Sequence, residues 1–361
     1  MIDFDKWDRE FREQNLSTFN NNFNGLLWLK VRAICRGKQL RQFLKDNDIA
    51  LTGTKVSEQN RELYALLAKR SDAMAILDKF LQCMNHEWYN EKGVDINQLK
   101  HDLYKVHSYS WGGDRNNSLD KYFVSRYVKV ISDFNQLYDK QAEIGENAWN
   151  YVQNSWYNNW SSFIIESLFK RNPKVISAVG EIKSVDFFID NYPLDLKVTF
   201  FPTQFLERKI KDRLCKSEIA WLKGKCKDLG ITCDTAESTQ QQVYTLTEKL
   251  KEIGRTDIID QLNNVIFEII EQAQNDPTEL MRWLYENQGE MRFGAENRIY
   301  LILVDSKDLK ESWKLKRAFS LIEPKVQKYI DSFTSSSLNE IRFVFKGKTY
   351  TALSDIIFVI K

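Results

Sequence analysis

The amino-acid sequence predicts an α/β (α+β) protein, in which a helical N-terminal region joins a domain with a central sheet flanked by helices. Apolar residues recur at every third or fourth position as far as about residue 145, which indicates helices. Short apolar runs rich in β-branched and aromatic residues follow from residue 175 and again from residue 299, which indicates strands. We therefore expect a helical region over residues 1–145 and a second domain over residues 146–361, with a helical insertion at about 206–295.

Each element follows from its own pattern. A helix is predicted over residues 146–171, because its tryptophans and aliphatic residues make one face. Apolar runs predict strands over residues 175–182, 185–189, 194–201, 299–304, 341–345 and 356–360. Helices are predicted over 205–290, apart from a polar loop near 233–242, and a basic amphipathic helix over 309–332. A turn at Lys346-Gly347-Lys348 follows the 341–345 strand.

Composition excludes several classes of protein. The 361 residues are 43% hydrophobic and 28% charged, which excludes disorder over most of the chain. The formal net charge is +2, so any affinity for nucleic acid must come from local clusters of basic residues. The five cysteines are scattered without CxxC spacing, which disfavours a disulfide framework or a structural zinc site. Neither a signal peptide nor a membrane span is recognisable, so we expect a cytoplasmic protein without a membrane partner.

The most informative stretch is a predicted β-hairpin that carries two acids. The turn Asp190-Asn191 lies between two apolar strands, and both residue types tolerate the left-handed backbone of a two-residue turn. Such a turn pairs Ile189 with Tyr192. Counting back places Asp186 directly opposite Asp195, as a non-hydrogen-bonded pair with Cα atoms about 4.5 Å apart.

Side chains alternate between the two faces of the second strand, so its charged and its apolar residues lie on opposite faces. Lys197 shares the face of Asp195, whereas Leu194, Leu196 and Val198 face the other way. Two adjacent carboxylates repel each other, and a fold keeps such a pair when a divalent cation lies between them. Hard oxygen ligands with open positions suit Mg²⁺ or Mn²⁺, and a nearby lysine can hold a phosphate oxygen and help to activate water. The alternative is two strand-end acids and a plain surface lysine on a solvent-exposed face.

The arrangement Asp186, Asp195-x-Lys197 resembles the PD-(D/E)XK, or restriction endonuclease-like, nuclease superfamily. Residues 146 to about 200 carry the resemblance, and Val185 stands where the family has proline. The resemblance implies a mixed central sheet and a type II restriction enzyme or related defence nuclease that uses Mg²⁺, for which Mn²⁺ substitutes. It implies hydrolysis of DNA to a 5′-phosphate and a 3′-hydroxyl, with both aspartates as metal ligands and the lysine at the phosphate or the water.

The same resemblance implies a third acidic ligand on the helix that precedes the first strand. Glu166 lies on that helix, and Glu181 is the second candidate. A solvated helix glutamate is the alternative interpretation of Glu166. Double-stranded DNA is the implied substrate, a homodimer is expected if both strands are cut, and a cognate DNA methyltransferase is a further candidate partner.

A second motif lies near the N-terminus. A leucine-bearing helix over Lys38 to Lys45, a turn at Gly53-Thr54-Lys55 and a second helix with Leu63 and Leu66 resemble a SAP-type DNA-binding motif. Clustered cations that face phosphates are what non-specific duplex binding requires. The DNA-binding candidates are Arg36, Lys38, Arg41, Lys45 and Lys55. An ordinary helical hairpin with a solvated basic side is the alternative, and it applies also to the basic run from Arg208 to Lys216.

Two other functions remain open from the sequence. One is a non-catalytic DNA-binding protein that keeps a nuclease-like sheet as a scaffold, although the intact acids and lysine argue against it. The other is an RNA nuclease of the same fold.

Overall fold

The N-terminal part of the protein is helical, as predicted. The computed structural model describes residues 4–34, 37–91, 93–113, 118–178, 185–287 and 296–361. The helices before the sheet are α1 (Phe4–Arg12), α2 (Phe23–Ile34), α3 (Gly37–Asp46), α4 (Val56–Leu67), α5 (Ala73–Glu91), α6 (Ile96–Leu103), α7 (Leu119–Phe123), α8 (Phe134–Asp139) and α9 (Gln141–Lys170). A 3-10 turn, Leu16–Phe19, precedes α2, and a π-helical turn, Val124–Val128, follows α7.

One six-stranded mixed sheet organises the second half of the chain. Its strands are β1 (Val175–Ser177), β2 (Phe187–Ile189), β3 (Tyr192–Phe200), β4 (Arg298–Val304), β5 (Asn339–Phe345) and β6 (Lys348–Ile360), in the spatial order β1-β2-β3-β4-β6-β5. The first three strands are antiparallel, β4 is parallel to both β3 and β6, and β5 closes the edge antiparallel to β6. The predicted mixed sheet is confirmed. Of the predicted 175–182 strand, β1 covers the first three residues, and residues 179–184 lie outside the described residues.

Between β3 and β4, the described residues form five helices. They are α10 (Thr203–Leu214), α11 (Glu218–Lys227), α12 (Thr239–Glu252), α13 (Thr256–Asn275) and α14 (Thr278–Asn287). Helices α11, α12 and α13 bury a small core of their own, which includes Leu222, Leu246 and Leu262. The helical insertion therefore has both a sheet-facing part and a separate hydrophobic cluster.

The predicted single helix over residues 309–332 is wrong. The chain forms a 3-10 segment, Leu309–Arg317, and then α15 (Phe319–Ser332), with a break at Ala318. Tertiary contacts explain the break, because the buried Arg317 donates from Nη1 to the carbonyls of Leu103 and Val106 at 3.0 and 2.7 Å. These hydrogen bonds satisfy the last carbonyls near α6, and they override the helical periodicity of the local sequence.

The two faces of the sheet pack against different helices. On one face, α9 and α15 cover Leu194, Ile299 and Leu301 in a continuous core. On the other face, α10, α13 and α14 cover Tyr300 and Ile302. Alternation along β3 and β4 therefore decides which side chains meet α9 and which meet the insertion.

The N-terminal helices pack against the β1–β2 end of the sheet. Phe188 of β2 and Val185 join the hydrophobic core of α1 to α5. The buried Lys30 ammonium lies 5.3 Å from the centre of the Phe188 ring and forms an ion pair with Asp78 at 2.5 Å. Burial lowers the pKa of Lys30, against the opposing effect of Asp78. The helical region is thus anchored to the hairpin that carries the two acids.

Within the described ranges, no helix has the length and apolar character that crossing a bilayer requires.

Candidate active site

The predicted two-residue turn and its register are confirmed. Asp190 and Asn191 have φ values of 44° and 65°, the left-handed backbone that this hairpin turn requires. The ladder pairs Ile189 with Tyr192 and ends at Phe187 with Leu194. The strands therefore keep the predicted register as far as Phe187 and Leu194, one residue before the acids.

Asp186 lies one residue beyond the ladder, and here the predicted regular pair with Asp195 is wrong. The Asp186 N–H donates to the Leu194 carbonyl at 2.9 Å, so the backbone has turned away from regular pairing. The Leu196 N–H instead donates to Asp186 Oδ2 at 2.8 Å. The Asp186 side chain thus takes the place of a main-chain acceptor and lies along β3, between the positions of Asp195 and Lys197.

Asp195 is held from the opposite side, by β4. Its N–H donates to the Asn297 carbonyl at 2.9 Å. Arg298, its register partner, donates from Nε to Asp195 Oδ2 at 2.9 Å and from Nη2 to Glu296 at 3.0 Å. The side chains of Arg298 and Asp195 are 4% and 17% exposed, so this ion pair is largely shielded from water.

Lys197 occupies the face that the alternation predicts. Leu194, Leu196 and Val198 pack into the core beneath α9 and α15, whereas Lys197 is the register partner of Tyr300, whose ring faces the insertion. The Lys197 side chain is half-buried, and no described residue pairs with its ammonium group. Lys197 therefore lies two residues after Asp195 on β3, and its charge forms no ion pair with the described residues.

Glu166 completes a group of three acids. It lies in the last turns of α9 and forms an ion pair with Lys170, four residues later. Burial and, after it, the negative charges of Asp195 and Glu166 together raise the pKa of Asp186 to about 7. The Leu196 N–H and Lys170 act in the opposite direction. Asp186 therefore interacts electrostatically with both Asp195 and Glu166.

The free oxygens of the two aspartates suit a divalent cation. Asp186 Oδ2 is bound by a main-chain N–H and Asp195 Oδ2 by Arg298, and no described residue donates to either Oδ1. Among the described residues, no three His, Cys, Asp or Glu side chains are arranged to hold a metal ion by themselves. Mg²⁺ nevertheless binds commonly through one or two carboxylates, with water and substrate phosphate as the other ligands. The second candidate for a third ligand, Glu181, lies outside the described residues.

Three charged residues of this site were missed by sequence reasoning. Lys170 follows Glu166 by one helical turn, a spacing that predicts an ion pair. Arg298 and Glu296 precede the apolar run that predicted β4, and the prediction started that strand at Ile299. An arginine at the start of a buried strand was a usable signal, since such a charge needs an acidic partner.

The N-terminal basic motif folds as two helices joined by a well-ordered turn. Lys38, Arg41 and Lys45 are exposed and follow helical spacing along α3, so they share one side of the helix. The turn before α4 is held by Glu62, whose carboxylate accepts the N–H groups of Thr52 and Gly53 at 2.9 Å. These observations support the predicted helix–turn–helix geometry.

The other two candidate cations of that motif are Lys55 and Arg36. Lys55 is exposed at the start of α4, and its nearest anion is Glu58 at 3.9 Å. Arg36 lies outside the described residues.

The basic run after the hairpin is largely paired. Arg208 and Lys209 both form ion pairs with Glu279, at 2.9 and 2.5 Å, and Arg213 pairs with Glu268. These pairs join α10 to α13 and α14. The alternative of an ordinary solvated surface is therefore favoured for most of this run.

Compared with protein-family models, with curated proteins and with solved structures, the chain shows no significant match to any of them.

Proposed function

We propose that this protein is a divalent-metal-dependent endonuclease that hydrolyses phosphodiester bonds in DNA, with a site of the PD-(D/E)XK type. The observation that carries the proposal is the electrostatic interaction of Asp186 with both Asp195 and Glu166, next to the face of β3 on which Lys197 follows Asp195. The pKa of Asp186 is raised to about 7 by burial and by the other two acids. Repulsion of this kind at a half-buried site is relieved when a cation binds between the carboxylates.

The two aspartates are the proposed metal ligands, through the Oδ1 atoms that no described residue engages. Each of the other oxygens is fixed by a hydrogen bond, from the Leu196 N–H at 2.8 Å and from Arg298 Nε at 2.9 Å. The ligands are therefore held before a cation arrives, which lowers the entropic cost of binding it. Bound Mg²⁺, or Mn²⁺ in its place, supplies Lewis acidity and a more acidic water.

Lys197 supplies a positive charge for which no described residue provides a partner. In the proposed reaction its ammonium group holds a phosphate oxygen of the scissile bond or orients the attacking water. Negative charge grows on the phosphate in the transition state, and a cation fixed in a strand stabilises it without reorganisation. Glu166 is a candidate third ligand, although its ion pair with Lys170 must then be shared or broken.

In this proposal, DNA binds to α3 and to the start of α4. Lys38, Arg41 and Lys45 line an exposed side of α3, as a sequence-independent grip on phosphates requires. The α1–α5 core to which α3 belongs is fixed to the hairpin, because the Asn21 N–H before α2 donates to the Asn191 carbonyl and the Asn21 amide donates to the Tyr192 hydroxyl. A phosphate grip on α3 thus has a defined position relative to the acids.

Restriction or another defence function, a homodimer that cuts both strands, and a cognate methyltransferase are parts of the same proposal. The resemblance supports them. A dimer follows from the chemistry if the product is a double-strand break, since one site cuts one strand.

The deciding experiment is incubation of the full chain with plasmid and phage DNA. We expect cleavage with Mg²⁺ or Mn²⁺, none with EDTA, and products with 5′-phosphate ends. Asp308-Leu309-Lys310 repeats the tripeptide Asp195-Leu196-Lys197 at an exposed position, so Asp308→Asn is a matched control for Asp195→Asn. Binding of DNA without cleavage under any metal would favour the non-catalytic scaffold, and cleavage of RNA alone would favour the RNA nuclease.

A further inference from the structure

A buried network of charges lies directly behind Asp195. Arg298 is 3% exposed and is placed between two carboxylates, Asp195 and Glu296, at 2.9 and 3.0 Å. Its guanidinium group also lies 5.4 Å from the centre of the Tyr285 ring, in cation–π contact. Arg298 is therefore fixed by contacts on several sides, and it cannot follow Asp195 if that side chain rotates.

This fixation limits how Asp195 can bind a cation. Arg298 Nε donates to Asp195 Oδ2, so a cation that used this oxygen as well would lie beside the positively charged guanidinium group, whereas Oδ1 accepts from no described residue. The corresponding restraint on Asp186 comes from the main-chain N–H of Leu196, which every residue except proline keeps. The restraint on Asp195 comes from a side chain, so it can be altered by substitution.

One-oxygen and two-oxygen binding suit different cations. Mg²⁺ is small and demands a near-octahedral shell at about 2.0–2.1 Å, whereas Ca²⁺ accepts six to eight oxygens and often binds a carboxylate through both of them. A carboxylate with one oxygen already taken is therefore matched to Mg²⁺ and poorly matched to Ca²⁺. From this geometry we infer that Arg298 is a positioning residue that makes the site selective for small divalent cations, by holding Asp195 to a single free oxygen. The inference rests on the proposed metal site.

The test measures metal binding directly, by calorimetric titration of the full chain with Mg²⁺ and with Ca²⁺ in the absence of DNA. Arg298→Lys keeps the positive charge but loses the planar fork that bonds both acids at once. We expect the Ca²⁺ to Mg²⁺ affinity ratio to rise by about tenfold or more in this variant, because Asp195 can then offer both oxygens. A change of net charge alone alters the affinities for both divalent cations together, so the ratio isolates positioning.

A second variant and a control keep the inference open to refutation. If Arg298→Lys does not fold, the double variant Arg298→Met with Glu296→Gln removes the arginine and its second acid together, and the same rise in ratio is expected. Arg317→Lys is the matched control, since Arg317 is also buried but bonds only carbonyls distant from the acids. Its ratio should equal that of the parent.

The outcomes separate this inference from the proposed function. Metal binding by the parent with a ratio that stays within about threefold in folded Arg298 variants overturns the role of Arg298 and leaves the nuclease proposal standing. A shifted ratio in a protein that cleaves no nucleic acid supports Arg298 and refutes the nuclease. A parent that binds neither cation in this titration overturns the role of Arg298, and the cleavage assay with Mg²⁺ then decides the nuclease proposal by itself.

Discussion

Two identical tripeptides in this chain have different surroundings. Asp195-Leu196-Lys197 lies in β3, where Asp195 is 17% exposed, accepts from Arg298, and faces the charge of Asp186. Asp308-Leu309-Lys310 starts the 3-10 segment after β4, where Asp308 is exposed and accepts the Lys310 N–H at 2.9 Å as an ordinary helix cap. The spacing of acid and lysine therefore carries no chemistry by itself. A second acid and burial in the sheet give the first tripeptide its candidate role.

The largest expected difference between the two tripeptides is in cleavage. Asp195→Asn keeps an acceptor for Arg298 but removes the charge that a metal ligand needs, so we expect single-turnover cleavage to fall by about 10³-fold or more. Asp308→Asn should cleave as the parent does, because asparagine caps a helix as well as aspartate. Comparable rates for the Asp195 and Asp308 variants would remove the distinction between the two tripeptides.

The lysines are expected to differ by a smaller factor. A fixed cation near the scissile phosphate typically contributes about 10²–10³ in rate, so Lys197→Met should bind DNA and cleave at least about a hundredfold more slowly. Lys197→Arg should recover little, since a planar fork does not replace a compact ammonium group. Lys310→Met is the control and should leave the rate unchanged. A Lys197→Met rate within about threefold of the parent would show that the lysine is a surface residue.

The contrast between the tripeptides also shows what the sequence can predict. The hairpin was predictable because its turn is local and because aspartate and asparagine tolerate the observed φ values of 44° and 65°. The period of two along β3 then separated Lys197 from the core-facing Leu196. Register and facing direction therefore follow from short-range rules.

What the sequence could not predict depends on contacts between distant segments. Arg298 meets Asp195 across a separation of 103 residues, so no local pattern pairs them. The Leu196 N–H donates to the Asp186 carboxylate in place of a main-chain carbonyl. The alternation of residues along a strand does not predict this hydrogen bond. The break at Ala318 has the same origin, since the carbonyls that Arg317 binds lie more than two hundred positions earlier in the chain.

A difference in stability is expected from Asp186, the buried acid beside the first tripeptide. The pKa of Asp186 is about 7 in the folded protein, against 3.8 for an ordinary aspartate. The folded state thus holds a proton that the unfolded state has lost, so stability falls as pH rises from about 4 to 7, by roughly 4 kcal/mol at most. Asp186→Asn still accepts the Leu196 N–H without the charge.

This variant should therefore be more stable than the parent at pH 8, by about 1 kcal/mol or more, and should lose that advantage at pH 4. Urea unfolding at the two pH values measures it. Mg²⁺ should stabilise the parent at pH 8 but not Asp186→Asn. Equal stabilities of parent and variant at both pH values would show that neither burial nor the neighbouring acids raise the pKa of Asp186.

The smallest expected effect concerns cations that lie outside both tripeptides. Arg41 on α3 is exposed and Lys55 has only a weak contact with Glu58, so a bound phosphate can replace water at either group. Each phosphate contact that is lost should reduce the slope of log affinity against log salt by about 0.9, for every DNA sequence alike. Arg41→Ala and Lys55→Ala should each show that change in titrations at several salt concentrations, whereas Lys325→Ala, an exposed lysine on α15, should not. If all three variants keep the parent slope, the pair α3 and α4 is an ordinary helical hairpin, and the DNA must be held by another surface.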